Sequence, residues 1–171
     1  MSAAPRVTVL AIAPVSNGFG YAVFEDILIP VDWAVKNVRE KPLNRNALKQ
    51  ARALINTFHP DVILLEDYSG EDSYRCERIQ NLIDSITKLA LKQEIVVHHY
   101  SRGDIRKCFS AYDAKTKDDI ARVIARELPE FAPRLPPERK IWKSIDYRMA
   151  IFDAVALVFT YYSNQNSMTT S

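Results

Sequence analysis

The stretch that most constrains the fold of this chain is residues 7–25, VTVLAIAPVSNGFGYAVFE. Its first six residues are β-branched or apolar almost throughout, a pattern typical of a strand buried on both faces. Pro14 has no N–H to donate and ends this strand, while Gly18 and Gly20 supply the freedom for a turn. Residues 21–24 then predict a second strand that returns antiparallel. The chain therefore opens with a β-hairpin whose first strand lies in the middle of a sheet.

The remaining segments alternate between the periodicities of strand and helix. A third antiparallel strand is expected over 27–38, with Pro30 marking a bulge or an edge position. Asn44 is a plausible N-cap for the first helix, and residues 129–143, with four prolines, predict a loop. Spacing of apolar residues predicts helices over 44–58, 72–93, 101–109, 115–128 and 145–162, and strands over 61–68 and 95–99.

Length and composition predict one domain. A chain of 171 residues, 47% of them hydrophobic, can bury a single core. We expect residues 1–171 to form one domain, with 1–6 and 163–171 as flexible tails. No apolar run approaches the ~20 residues of a membrane helix, so a cytoplasmic protein is expected. Cys76 and Cys108 lack metal-ligand spacing, which favours reduced thiols.

The distribution of charge says more than the net charge of +2. Residues 102–148 contain twelve Lys and Arg against eight Asp and Glu, a local excess of +4, which leaves −2 for the rest of the chain. A basic carboxyl-terminal half is a weak indication of phosphate binding, and a solvated surface is the more common cause of such a bias.

The hairpin resembles the first motif of the RuvC-type Holliday junction resolvases, which belong to the RNase H-like nucleases. That motif is Gly-Ile-Asp-Pro-Gly followed by Gly-Tyr-(Gly/Ala)-Val, and this chain has Ala-Ile-Ala-Pro-Val at 11–15 and Gly-Tyr-Ala-Val at 20–23. The resemblance places the family's catalytic aspartate on Ala13. It spans roughly residues 7–162 and implies an α/β RNase H-like fold, a mixed five-stranded sheet flanked by helices.

The resemblance also assigns acidic positions. Glu66 takes the family's second acidic position, although a strand-end carboxylate can merely solubilise a loop. In the last helix the family has two aspartates three residues apart, which fall on Ala150 and Asp153. A lone aspartate in an apolar helix needs a cation, and Arg148 is an alternative partner to a metal. Asp146 could replace the missing member if the helix begins early enough, or could be an N-cap.

Basic residues follow the family pattern too. Lys117 is the best match to the family's catalytic-region lysine, although lysines at a solvated helix terminus are an equally simple explanation. The candidate nucleic-acid-binding residues are Arg75, Arg78, Arg102, Arg106, Lys107, Lys115 and Arg122.

The chemistry that the resemblance implies is phosphodiester hydrolysis with two Mg²⁺, or Mn²⁺, held by carboxylates. The implied metal ligands are Glu66, Asp153 and Asp146. The implied substrate is branched or structured nucleic acid, DNA or RNA, and the implied assembly is a twofold homodimer.

Two functions stay open. The first is a resolvase-like endonuclease that works through a rearranged carboxylate set, or in which alanine at position 13 was introduced. The second is a natural non-catalytic relative that binds nucleic acid or a protein partner without cutting.

Overall fold

The computed structural model describes residues 6–70, 74–138 and 146–169. The strands are β1 (Thr8–Val15), β2 (Gly18–Glu25), β3 (Pro30–Asn37), β4 (Val62–Glu66) and β5 (Val96–Tyr100). The α-helices are α1 (Leu43–Phe58), α2 (Glu77–Lys92), α3 (Arg102–Phe109), α4 (Lys117–Glu127) and α5 (Met149–Thr169), with short 3₁₀ turns at Ser110–Tyr112 and Pro129–Arg134.

The five strands form one mixed sheet in the order β3-β2-β1-β4-β5. β1 pairs antiparallel with β2 and β2 with β3, whereas β4 runs parallel to both β1 and β5. The predicted fold class and the central position of the first strand are confirmed. The register of β2 on β3 shifts between Val23 and Phe24, opposite Pro30 on the edge strand, where a missing donor is tolerated.

Two hydrophobic cores cover the two faces of the sheet. On one face, alternate β1 residues such as Leu10 and Ile12 pack with α1 and α2. On the other face, Ala11 and Ala13 pack with α4 and α5. From Met149 to Tyr162 helix α5 is buried at every residue except Asp153, because the sheet lies on one side and α3 and α4 on the other. The carboxyl ends of β1 and β4 therefore lie beside the amino-terminal part of α5.

Several element bounds differ from the sequence prediction. Strand β1 continues through Pro14 to Val15, and β2 begins at Gly18, so Pro14 does not end the first strand and Gly20 lies within the second. Helix α1 begins at Leu43 after Pro42, so Asn44 lies inside the helix and is not its N-cap. Helix α2 begins at Glu77, which leaves Arg75 in the preceding segment. Helix α5 continues to Thr169, so residues 163–169 are helical where a tail was expected. The tail at 1–5 and the helix start predicted at residue 145 lie outside the described residues.

The predicted loop 129–143 is structured over its first part. Residues Pro129–Arg134 form a 3₁₀ turn that buries Phe131. The Phe131 ring lies 4.6 Å from the Trp33 ring and 6.4 Å from the Phe152 ring, between the edge strand and α5. An aromatic side chain buried against two others fixes this turn even though its prolines exclude a longer helix.

Within the described ranges, the structure has no helix of the length and apolarity needed to cross a membrane.

Candidate nucleic-acid interface

A pocket of about 170 Å³ opens where β1 and β4 approach α3, α4 and α5. Ala13, Glu66 and Asp153, which the resemblance predicts to share a site, all line it. The other lining residues are basic or apolar: Arg75, Arg102, Arg106, Lys115, Lys117, Ile105, Ile120, Phe152, Ala156 and Leu157. Two of the three candidate acids and most of the candidate basic residues thus lie around one space.

Glu66 is the last residue of β4 and is only 7% exposed. Its Oε2 accepts a hydrogen bond of 2.7 Å from Nε of Arg75, and Nε of Arg102 lies 3.9 Å from its Oε1. A carboxylate this buried is costly unless it is paired and hydrogen-bonded. Two guanidinium groups therefore neutralise Glu66 from within the protein.

Asp153 is the one half-buried position in the buried stretch of α5, and it too is paired with a cation. Lys117 Nζ donates a hydrogen bond of 3.4 Å to its Oδ2. Arg148, the alternative partner considered from the sequence, is bonded to Asp146 instead. Both acids in the pocket thus carry a basic partner from a different element of the fold.

Two capping boxes place basic residues at the mouth of the pocket. Ser101 and Asp104 cap α3, and Thr116 and Asp119 cap α4, so that each box satisfies backbone N–H groups at the start of its helix. The first helical residue is Arg102 in α3 and Lys117 in α4. A cation in the first turn opposes the helix dipole by roughly 0.3–1 kcal/mol, so helix stability does not explain these residues.

Asp146 does not join the other acids. It precedes α5, its Oδ1 accepts a hydrogen bond of 2.9 Å from the N–H of Arg148, and its Oδ2 accepts one of 2.8 Å from the Arg148 guanidinium. These bonds hold the pKa of Asp146 below its ordinary value. Asp146 is absent from the described residues that line the pocket, and its role is closer to the N-cap alternative than to a ligand.

Three of the candidate nucleic-acid-binding residues also lie elsewhere. Arg78 donates 2.7 Å to the Ser16 carbonyl and 3.2 Å to Oδ1 of Asn44, so it joins three segments of the chain. Arg122 is bonded to Asp119 at 2.5 Å. Lys107 is exposed on α3 but does not line the pocket.

The donor set does not fit a pair of Mg²⁺ ions. Position 13 and position 150 are alanines, and the two acids that remain are bonded to Arg75 and Lys117. No cluster of three or more His, Cys, Asp or Glu side chains suited to a metal occurs among residues 6–70, 74–138 and 146–169. Two-metal hydrolysis needs several carboxylates around ions 3.5–4 Å apart, so this arrangement offers no such site.

The pocket has instead an excess of positive charge beside an apolar wall. Five basic residues and two acidic residues line it, a formal excess of three positive charges. The apolar lining residues lower the local dielectric and strengthen the attraction of these cations for an anion. Sequence reasoning missed the Glu66–Arg75 pair because Arg75 lies in a segment without periodicity.

Comparisons with known proteins place the fold. Neither a protein-family model nor a curated protein sequence matches this chain. Among solved structures, Thermus thermophilus RuvC matches with a TM-score of 0.63 at 12% identity, covering 94% of this chain and 97% of that one. The same protein in complex with a Holliday junction substrate gives 0.59 at 14% identity, covering 93% and 96%. The yeast mitochondrial Holliday junction resolvase Ydc2 gives 0.70 at 13% identity, covering 97% and 82%.

These likenesses extend over nearly the whole chain, and their low identity means that they show the fold alone. The chain has a RuvC-like resolvase fold. The predicted resemblance in fold is confirmed.

Proposed function

We propose that this protein binds branched nucleic acid through the basic pocket at the end of β1 and β4, and does so without two-metal cleavage. The observation that carries the proposal is the charge of the pocket, five basic residues against two acids that are already paired. Phosphate groups are the anions that Arg and Lys bind in nucleic acid. One of the structural neighbours is a complex with a Holliday junction, which supports the choice of a branched substrate.

The side chains of the protein take over the electrostatic role that divalent cations have in a two-metal site. Arg75 and Arg102 face Glu66, and Lys117 faces Asp153, so the carboxylates orient fixed cations toward the pocket. Fixed guanidinium and ammonium groups hold phosphate oxygens but do not generate a metal-bound nucleophile. Binding in this form needs no Mg²⁺.

The position of Arg102 and Lys117 supports the same role. Each begins a helix whose capping box is complete, so its backbone is held while its side chain points into a shared pocket. The cost of a cation at this end of a helix is offset when an anion binds between the two helix starts. A bound anion should therefore stabilise the starts of α3 and α4 relative to the empty pocket.

The test is a salt titration of binding to a four-way DNA junction in EDTA and again in millimolar Mg²⁺. The variant Lys115→Gln/Lys117→Gln should reduce the slope of log affinity against log salt by about 1.8, the value for two phosphate contacts. The matched control Lys88→Gln/Lys92→Gln changes two exposed lysines of α2, remote from the pocket, and should leave the slope unchanged. An unchanged slope in the pocket variant, or affinity that disappears in EDTA, would remove the proposal.

The second candidate function is a metal-dependent endonuclease that uses Glu66 and Asp153. It is favoured by one observation, that both carboxylates line the pocket together with Ala13. It predicts Mg²⁺- or Mn²⁺-dependent nicking of the junction by the unmodified protein and loss of nicking in Glu66→Gln. Denaturing gel analysis of labelled junction strands distinguishes it from binding alone.

A homodimer and a cytoplasmic location remain proposals that rest on the resemblance to resolvases, which act on twofold junctions. Light scattering of the purified protein, free and with junction, measures the number of chains per complex.

A further inference from the structure

A second basic surface lies on α1, outside the pocket. Arg45, Lys49 and Arg52 follow one another at i, i+4 and i+7 and therefore share one face of the helix. Arg39 and Lys41 precede the helix on the same part of the chain, and all five side chains are exposed. We call these five residues the α1 strip. Among residues 39–52 the single acid is Glu40.

The charge of the α1 strip is uncompensated. In the described ranges of the chain, none of its five cations forms an ion pair, although Arg75, Arg102 and Lys117 in the pocket all do. Sequence analysis missed the strip because charge was summed over long segments, and acids elsewhere in the amino-terminal half cancel it. Residues 39–52 carry a net charge of +4, so their basic side chains repel one another, and bound anions would relieve that repulsion.

The α1 strip opens toward the same end of the sheet as the pocket. Arg78 connects the two places, because its guanidinium binds the Ser16 carbonyl in the β1–β2 turn and Oδ1 of Asn44 in α1. The Asn44 amide donates 2.8 Å back to the Arg78 carbonyl. Arg45 of the strip follows Asn44 directly in sequence. Arg75 of the pocket lies three residues before Arg78. The start of the α1 strip and the rim of the pocket are thus both held near Arg78, whose hydrogen bonds to Ser16 and Asn44 we call the Arg78 anchor.

We propose that the α1 strip is a second phosphate-binding surface, which holds the backbone of a nucleic acid whose other contacts lie in the pocket. The inference rests on the proposed function, since it adds a contact surface to the same ligand. From Arg45 to Arg52 the helix rises about 10 Å, a length over which duplex DNA presents about six phosphate charges. Three aligned cations at this spacing match a backbone better than they match a single small anion.

The apolar face of α1 argues against a membrane as the occupant. A helix that binds the bilayer surface inserts its apolar residues between lipids. In α1 the apolar residues Ala47, Ala51, Leu54 and Ile55 are buried against the sheet and α2, and so are not free for lipid. The face that α1 presents to solvent is mostly basic or polar.

The experiment uses the variant Arg45→Gln/Lys49→Gln in the full-length protein, with the same salt titration on a four-way junction. Glutamine keeps helix propensity and an unbranched polar side chain while removing both charges. The slope of log affinity against log salt concentration should fall by about 1.8. If affinity at 1 M salt is unchanged, this corresponds to about thirty-fold weaker junction binding at 0.15 M salt. The control Lys88→Gln/Lys92→Gln has the same i, i+4 spacing on α2 and should bind as the unmodified protein does.

The outcomes separate this inference from the proposed function. If the pocket variant Lys115→Gln/Lys117→Gln loses slope and Arg45→Gln/Lys49→Gln does not, the α1 strip is a solvated face and only this inference falls. If the unmodified protein binds no junction, both fall. Sedimentation with vesicles of 30% anionic lipid tests the other occupant: loss of vesicle binding in Arg45→Gln/Lys49→Gln with an unchanged junction slope overturns the assignment to nucleic acid.

Discussion

Gly20 of β2 and Ala150 of α5 are in direct backbone contact. A β-carbon built on Gly20 would overlap the carbonyl carbon and oxygen of Ala150 and would lie 2.6 Å from its β-carbon. Gly20 also pairs with Ala13 across the hairpin. The two alanines that the resemblance aligns with aspartates of the RuvC-type resolvases therefore border the same glycine, and Ala150 is only 2% exposed.

Replacement of this glycine should destabilise the protein. In Gly20→Ala the added methyl group meets backbone atoms that cannot move aside, so overpacking should lower the free energy of unfolding by about 2–3 kcal/mol. Urea or thermal unfolding measures the change. Gly103→Ala is the matched control, since its added carbon would lie 3.5 Å from the Ser101 hydroxyl, an ordinary contact. Equal stabilities of the two variants would contradict the close approach of α5 to β2.

Removal of the Asp153 charge should strengthen nucleic-acid binding. In Asp153→Asn the pocket loses a carboxylate that repels phosphate and competes with it for Lys117, which should raise junction affinity roughly fivefold at 0.15 M salt, about the effect of one unit charge. Stability should change by less than about 1 kcal/mol because the Lys117 side chain is 43% exposed. Fluorescence anisotropy in EDTA measures the affinity.

The control for that variant is Glu127→Gln, which removes the same charge from an exposed ion pair with Arg126 at the far end of α4. Its affinity should match that of the unmodified protein. Weaker junction binding by Asp153→Asn in EDTA would contradict the expectation, because it would show that the Asp153 carboxylate supports binding.

An aspartate at position 13 should not create a nuclease. In Ala13→Asp a third carboxylate enters the pocket, but position 150 still lacks one and Glu66 is still bonded to Arg75. We expect no Mg²⁺-dependent nicking, no Mg²⁺-dependent rise in melting temperature, and weaker junction binding because the excess of positive charge falls from three to two. Ala13→Asn has nearly the same size without the charge and should bind more tightly than Ala13→Asp. Nicking by Ala13→Asp would instead favour the endonuclease as the function.

The capping box of α4 should give the protein an acid-sensitive component of stability. Backbone N–H groups of Thr116 and Lys115 donate to Asp119 and lower its pKa from 3.8 to about 2. Since the folded-state pKa lies below the unfolded value, the stabilisation is complete above pH ~4 and is lost as the pH falls through about 2. Asp119→Asn should therefore be less stable than the unmodified protein at pH 6, and the difference should shrink as the pH approaches 2.

A pH series of urea unfolding curves tests this expectation. Asp118→Asn is the control, because the Asp118 side chain takes no part in the capping box formed by Thr116 and Asp119. A difference between Asp119→Asn and the unmodified protein that persists unchanged at pH 2 would show that the effect does not come from ionisation of Asp119.

The fold could be predicted from local patterns because each pattern has one physical cause. The apolar run before Pro14 required a central strand, and the apolar residues around Asp153 required a buried helix. The end of α5 could not be predicted, because residues 163–166 leave the core and a solvated helix needs no apolar periodicity.

The site was predicted in its positions and missed in its pairing. The family resemblance aligns Ala13, Glu66 and Asp153 with one site, and all three side chains line one pocket. Which cation lies beside each acid depends on the path of irregular segments, and Arg75 belongs to one of them. The α1 strip was not predicted, although its regular spacing is visible in the sequence, because acids elsewhere in the amino-terminal half cancel its charge in a sum over that half.

The Arg78 anchor has a consequence for how a ligand is selected. Its bonds to Ser16 and Asn44 join the hairpin turn, α1 and α2, so the two basic surfaces on either side cannot move independently. Contacts to phosphate carry no information about bases. The protein should therefore be selective for the shape of a nucleic acid, that is, for the angle and separation between its arms. Its affinity should not depend on base sequence.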